Sequence, residues 1–412
     1  MGTIVQLNTT VTDLIYSMMR VLLILGLMGF SALAVPIAAQ TVLKVTRVPT
    51  TTAANDTLFV AGSFNVWNPR NPAYRLTKGD DGTYQITLPA SLGAVEYKFT
   101  RGSWETAEAG PANAPIANRK ADLHQAAVVT HEILAWSQPG PAATKKHTAS
   151  PQVQVLNEQF QIPELGRTRR VLVYLPADYA QQPRRRYPVL YMHDGQNVFD
   201  EATSYSGEWG VDETLDRLHA LGQDPTSCIV VAVDNDSQHR SDEYIPWRNA
   251  EIKAGGQGGA YIDFLARTLK PYVDARYRTR PDAAHTGIAG SSLGGLISVY
   301  AALKYPRVFG RVGAFSPAFW VCNDSLLAFA KTHPAARSTR FYFVCGPQES
   351  ETMLPLMAAW RNKLRAQGVP AANLSLHAPV DGQHREWFWQ REFPAAYQFL
   401  FRAMPGKGQA SK

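Results

Sequence analysis

Cysteine is scarce, with three in 412 residues: Cys228, Cys322 and Cys345. So few thiols cannot staple a small scaffold, and their spacing suits no zinc site, so the fold has to rest on a buried apolar core. Cys228 and Cys345 stand at apolar, strand-like runs, where a buried free thiol is the ordinary reading. Charge is sparse too. Charged residues make up 18% of the chain, and 41 Lys+Arg against 34 Asp+Glu leave a net charge of only +7. The densest basic cluster, Arg184-Arg185-Arg186, reads as a solvated loop ahead of a strand. No basic face of the kind a nucleic-acid binder needs is present. Glycine (30) and proline (27) stay below low-complexity levels, and no internal repeat is visible. Collagen, coiled coil, acidic tail and disulfide scaffold are excluded.

Long apolar runs are also rare, with one exception near the N-terminus. After Arg20, residues 21–39 carry no charge and end in Ala38-Ala39 before Gln40. Such a run is a secretory signal or a membrane anchor, and Gly26, Gly29, Pro36 and the small-residue end favour a signal. The expectation is an exported protein, periplasmic or secreted, with no stable membrane span once residues 1–39 are removed.

Residues 40–136 read as an all-β module. Leu58-Phe59-Val60-Ala61 is a short apolar strand, and residues 84–88 and 95–99 alternate with period two, as half-buried antiparallel strands do. Asp81-Gly82 supplies a hairpin turn. Short strands with turn punctuation point to a small immunoglobulin-like β-sandwich. Residues 137–151 (SQPGPAATKKHTASP) hold no large apolar side chain and read as a linker. From 152 to 405 strand and helix patterns alternate, leaving 406–412 as a tail. Residues 171–175, 189–192, 229–233 and 341–344 are continuous apolar runs, as in strands buried on both faces. Between them lie stripes at helical spacing: Val211, Leu215 and Leu218; Tyr261, Phe264, Leu265, Leu269 and Tyr272; Met353, Met357, Trp360 and Leu364. The architecture expected is a mostly parallel sheet covered by helices.

Gly290-Ser291-Ser292-Leu293-Gly294 is a G-x-S-x-G, preceded by a short strand at 286–289 and followed by a helix. Strand, sharp turn and helix are what a nucleophile elbow requires, because the turn lifts the Ser292 hydroxyl clear of the sheet. A serine needs a base to take its proton. His384, in Asp381-Gly382-Gln383-His384, opens the last helix after the last strand (374–377) and completes the order serine, acid, histidine. His193 competes but precedes the serine. The acid belongs between them, after a strand: Glu349 follows the strand ending at Cys345, with Glu351 and Asp324 as alternatives. Oxyanion donors are expected from the backbone N–H of Leu293 and of Gln196, or Gly195, in the loop after residue 192. The loops 199–208 and 237–259 carry Tyr205, Trp209, Tyr244, Trp247 and Arg248, which suit an aromatic-lined cleft or core packing equally.

HDGQNVFD (193–200), the 256–277 helix with LKPYVDARYRT, GSSLGGL (290–296), SPAFW (316–320) and GQHREWFW (382–389) resemble the esterase branch of the α/β hydrolases. That branch includes enterochelin (ferric siderophore) esterases, feruloyl and acetyl-xylan esterases, and mycolyltransferases. The resemblance implies an α/β-hydrolase fold with Ser292 as nucleophile, His384 as base and Glu349, in place of the more usual aspartate, as acid. GSFNVWN (62–68), DGTY (81–84) and YKFTRGSW (97–104) resemble glycogen- and starch-binding β-sandwiches, whose sugar-stacking tryptophans match Trp67 and Trp104.

The function expected is therefore an exported serine carboxylesterase acting on acylated carbohydrate, feruloyl or acetyl polysaccharide, without metal or cofactor. A ferric-siderophore ester is the second substrate class. An acyltransferase to sugar and a non-catalytic glycan-binding protein are the competing readings.

Overall fold

The computed structural model describes residues 40–111, 114, 116–124, 128–138, 146–205, 207–224 and 226–402. The expected signal (1–39), the middle of the linker (139–145) and the tail (406–412) lie outside the described residues.

The first nine strands are β1 (Gln40–Arg47), β2 (Phe59–Gly62), β3 (Thr77–Lys78), β4 (Tyr84–Pro89), β5 (Ala94–Thr100), β6 (Glu108–Ala109), β7 (Arg119–Asp122), β8 (Val128–Glu132) and β9 (Ala135–Trp136). They form sheets of order β3-β4-β1-β8 and β2-β5-β7, with β6 and β9 as a separate pair. The alternation at 84–88 and 95–99 turns Tyr84, Leu88, Val95, Tyr97 and Phe99 into a shared core with Leu43, Val60 and Trp136. One pairing departs from the antiparallel pattern: β1 and β8 run parallel. The side-chain amide of Asn71, buried with this module, donates to the carbonyl of Ile252 at 2.9 Å, tying it to the rest of the chain.

The remaining strands build one sheet: β10 (Val153–Ile162), β11 (Arg167–Tyr174), β12 (Val189–Met192), β13 (Ile229–Val233), β14 (Thr286–Ser291), β15 (Arg311–Phe315), β16 (Arg340–Val344) and β17 (Leu374–His377). Its order is β10-β11-β13-β12-β14-β15-β16-β17. The first two pairings are antiparallel and the other five parallel. The helices are α1 (Val211–Ala220), α2 (Arg240–Tyr244), α3 (Gly258–Asp263), α4 (Lys270–Arg276), α5 (Leu293–Lys304), α6 (Asn323–Thr332), α7 (Met353–Ala366) and α8 (Glu386–Phe401). The continuous apolar runs exist because both faces are covered. Val171 and Val173 join one core with α3, α5 and α7, while Leu172 and Tyr174 join the other with α1 and α8.

Two elements differ from the sequence reading. The helix read over 256–277 is interrupted by a π-helical stretch, Phe264–Leu269, in which the N–H of Lys270 reaches the carbonyl of Leu265. Pro271 has no N–H to return to residue 267, and its ring crowds that carbonyl, so the ladder widens just before it. The last helix begins at Glu386, so His384 stands on the loop before it rather than in its first turn.

The loops after β16 and β17 touch at two glycines. A Cβ on Gly346 would lie 2.0 Å from the carbonyl oxygen of Gly382, so no side chain fits between them. Gly346→Ala is expected to destabilise the fold by about 1–3 kcal/mol, read as a melting temperature several degrees lower. An unchanged melting temperature would show that the loops do not need this approach.

Candidate active site

Strain gathers at one edge of the large sheet. Among the described residues, seven non-glycines have positive φ, and three of them sit just past adjacent strands: Asp194 after β12, Ser292 after β14 and Ser316 after β15. Such conformations cost of order 1–3 kcal/mol each and persist where the surroundings over-determine them.

Ser292 has φ 58° and ψ −119°, between β14 and the first turn of α5. Its N–H donates to the carbonyl of Phe315 at 2.9 Å, and its own carbonyl accepts from Ala318 at 3.0 Å, so the turn is pinned to β15 and the segment beyond it. The small neighbours allow this closeness. A Cβ on Gly290 would stand 3.0 Å from the His193 ring and 3.1 Å from the backbone of Gly294. This is the elbow geometry that the G-x-S-x-G pattern predicts.

The loop after β12 is held from beneath. Asp194 is buried, and its carboxylate accepts Arg240 Nε at 2.7 Å, Arg240 Nη2 at 2.9 Å and Asn235 Nδ2 at 2.6 Å. Burial alone would raise its pKa, but the guanidinium and the amide outweigh that and hold it below the ordinary carboxylate value. Residues Gly195–Asn197 then form a 3-10 turn, and the Gln196 side-chain oxygen accepts the N–H of Asn235 at 3.1 Å. The backbone N–H groups of Gln196 and Leu293 stand in the first turns of the 3-10 helix Gly195–Asn197 and of α5, where helix N–H groups have no preceding carbonyl of their own helix to reach. His193 is buried between Tyr261 Oη (2.9 Å) and Ser298 Oγ (3.1 Å), and burial pushes its pKa down to about 4. A neutral imidazole packed in this way is a structural group.

On the far side, Glu349 and His384 meet. His384 Nδ1 lies 2.8 Å from Glu349 Oε2, with the glutamate side chain 1% exposed and the imidazole 34%. The N–H of Gly346 donates to Glu349 Oε1 at 2.5 Å. Among the described residues no hydrogen bond links Asp324 or Glu351 to His384, and none joins Ser292 Oγ to His384. In unliganded enzymes such bonds are often long and tighten only around substrate. Two residues past His384, Glu386 carries a carboxyl that burial pushes up to about 7, with His384 and Arg385 pulling the other way.

The aromatic loop content divides. Trp209 and Tyr244 belong to the core, while Tyr205 is 55% exposed. In the N-terminal module Trp67 and Trp104 pair at 6.2 Å between ring centroids and 42° between planes, with Trp104 partly exposed. The partnership of Asp194 with Arg240 escaped the sequence reading. Forty-six positions separate the two residues, and no local pattern joins them.

A mostly parallel sheet with a strained serine between strand and helix defines an α/β hydrolase. The chain belongs to the family described as Putative esterase, whose model matches residues 162–400, and it is a carboxylic ester hydrolase. It is similar to a siderophore enterobactin esterase of Emericella nidulans, 28% identical over 176 residues, 36% of this chain and 55% of that protein. It is also similar to an endo-1,4-beta-xylanase/feruloyl esterase of Xylanibacter ruminicola, 23% identical over 241 residues, 58% of this chain and 30% of that protein. The chain thus spans about half and about a third of the lengths of these two relatives. A stretch of 73 residues, 18% of the chain, is 53% identical to 6% of an alpha-amylase of Niallia circulans. Among the described residues, no helix is long and apolar enough to cross a membrane.

Glu386 makes stability depend on pH. Its folded pKa of about 7 lies above the ordinary 4.5, so the folded protein holds the extra proton between those values. Stability is therefore expected to fall as pH rises from 4.5 through 7. Glu386→Gln removes this contribution, so its melting temperature should gain on the wild type by a few degrees between pH 5 and pH 8. Parallel melting curves across that range would contradict the assignment.

Proposed function

We propose that the protein is an exported serine carboxylesterase that cleaves acyl esters of carbohydrate. The observation that carries this reading is the hydrogen bond between Glu349 and His384 on loops beside the strained turn of Ser292. With Nδ1 given to a carboxylate, which only accepts, the imidazole proton belongs on Nδ1 and Nε2 keeps its lone pair. Nε2 then takes the proton of Ser292 Oγ as that oxygen attacks the ester carbonyl. The buried glutamate stabilises the imidazolium that results. The N–H groups of Leu293 and Gln196 donate to the developing oxyanion, where each donor is worth about 3–4 kcal/mol of barrier. His384 passes the proton to the departing alcohol, then takes one from water as the water oxygen attacks the acyl-enzyme carbonyl, and returns it to Ser292 Oγ as the acid leaves.

The carbohydrate side of the reading is supported by the Trp67–Trp104 pair, whose flat apolar faces suit sugar rings, and by the similarities to an alpha-amylase and a xylanase/feruloyl esterase. Export is supported by the uncharged run at 21–39. A siderophore ester is the second reading, favoured by the similarity to an enterobactin esterase. Comparing kcat/KM on feruloyl-arabinose, acetyl-xylooligosaccharide and a catecholate siderophore ester separates the two, with the sugar esters expected to lead by about tenfold or more. A lead for the siderophore ester would reverse the order.

Ser292→Ala should lower kcat on p-nitrophenyl acetate by about a thousandfold or more while leaving the melting temperature within a few degrees. Retained turnover would remove Ser292 from the nucleophile's role. Glu349→Gln should cost about a hundredfold to ten-thousandfold in kcat; a loss under about threefold would point to another acid.

A further inference from the structure

Two side chains beyond the proposed triad, Ser316 and Trp389, converge on its acid. Ser316, fully buried just past β15, is held at φ 42°, with its N–H donating to the carbonyl of Val344 at 2.6 Å. Its Oγ lies 2.9 Å from Glu349 Oε1 and 2.9 Å from Nε1 of Trp389. An indole N–H can only donate, so Ser316 Oγ accepts from Trp389. The single hydroxyl proton is then free for the carboxylate, which can only accept when ionised. Chemistry thus gives the chain one direction: Trp389 to Ser316 to Glu349. With Gly346 also donating to Oε1, that oxygen is doubly held, and Oε2 is left for His384.

Trp389 also reaches the base directly. Its ring meets the His384 imidazole edge to face, with centroids 5.1 Å apart and planes at 86°. The indole itself is nearly buried and packs on Trp209 at 5.7 Å. It is delivered by the first turns of α8, whose Phe393, Tyr397 and Phe401 anchor the helix in the core beneath the sheet. One side chain therefore touches the imidazole and, through one hydroxyl, aims the carboxylate.

We propose that Trp389 and Ser316 are positioning residues for the esterase reaction: their directed hydrogen-bond chain orients Glu349, and the Trp389 ring orients His384. This inference rests on the serine-esterase reading and deepens it. A cost confined to orientation falls on the chemical step and leaves ester binding alone. Two members of one hydrogen-bonded chain also fail to add.

The test is a double-mutant cycle in the full chain with Trp389→Phe, which keeps an aromatic ring and removes the N–H, and Ser316→Ala. On p-nitrophenyl acetate each single change should lower kcat about tenfold with KM within about twofold. The combined variant should fall no further than the worse single one. The NMR resonance of the His384 Nδ1 proton, assigned by its loss in His384→Ala, should move upfield in both single variants. Single-variant kcat values within about twofold of wild type, or losses that multiply while the Nδ1 resonance stays in place, would overturn the proposal. If Trp389→Phe does not fold, Ser316→Ala decides by the same kcat and resonance criteria. Should the wild type cleave no ester, the functional reading fails, and the Nδ1 resonance still decides whether Trp389 and Ser316 orient the pair.

Discussion

Parallel strands deliver their carboxyl ends to one edge of a sheet, and at that edge this chain has to turn sharply three times. Asp194, Ser292 and Ser316 each take a backbone conformation that side-chain-bearing residues avoid. The turns are sustained by neighbours that leave no alternative. The N–H of Ser292 is claimed by Phe315, that of Ser316 by Val344, and the carboxylate of Asp194 by Arg240 and Asn235. Because the same edge holds the turn of Ser292, the loop after β12 and the platform beneath Glu349, the site inherits its geometry from the sheet. Loops that had to find these positions alone would pay conformational entropy at every turnover.

Electrostatics divides the histidines and carboxylates of this edge into distinct roles. His193 is sealed among Tyr261 and Ser298 and kept neutral, while His384 stays partly open to solvent with one nitrogen bound to a buried carboxylate. Asp194 keeps its charge because a guanidinium grips both of its oxygens. Glu386, with no such grip, retains its proton to near neutrality. Burial raises both carboxyl groups, and only at Asp194 do the bidentate guanidinium and the amide outweigh it.

Much of this was legible from residue order. Runs such as 189–192 and 229–233 read as strands covered on both faces, and the strand–Ser292–helix pattern placed the elbow. The glycine-bearing loop before the last helix located His384, although the helix itself starts two residues later. What stayed hidden was non-local or energetic. The link from Asp194 to Arg240 crosses 46 positions, and Ser316 and Trp389 lie 73 apart. Both pairs sat inside or near recognised motifs, but only the sheet brings them within hydrogen-bonding distance. The π-helical stretch before Pro271 shows the same limit, since an apolar stripe has the same spacing whether or not one turn is widened.

The most direct measurement is mass spectrometry of the intact protein after exposure to a fluorophosphonate, followed by peptide mapping. A serine activated by an imidazole should take a single adduct, on Ser292, within minutes at neutral pH, and His384→Ala should slow that labelling by orders of magnitude. A protein left unlabelled, or labelled on another serine, would contradict the account.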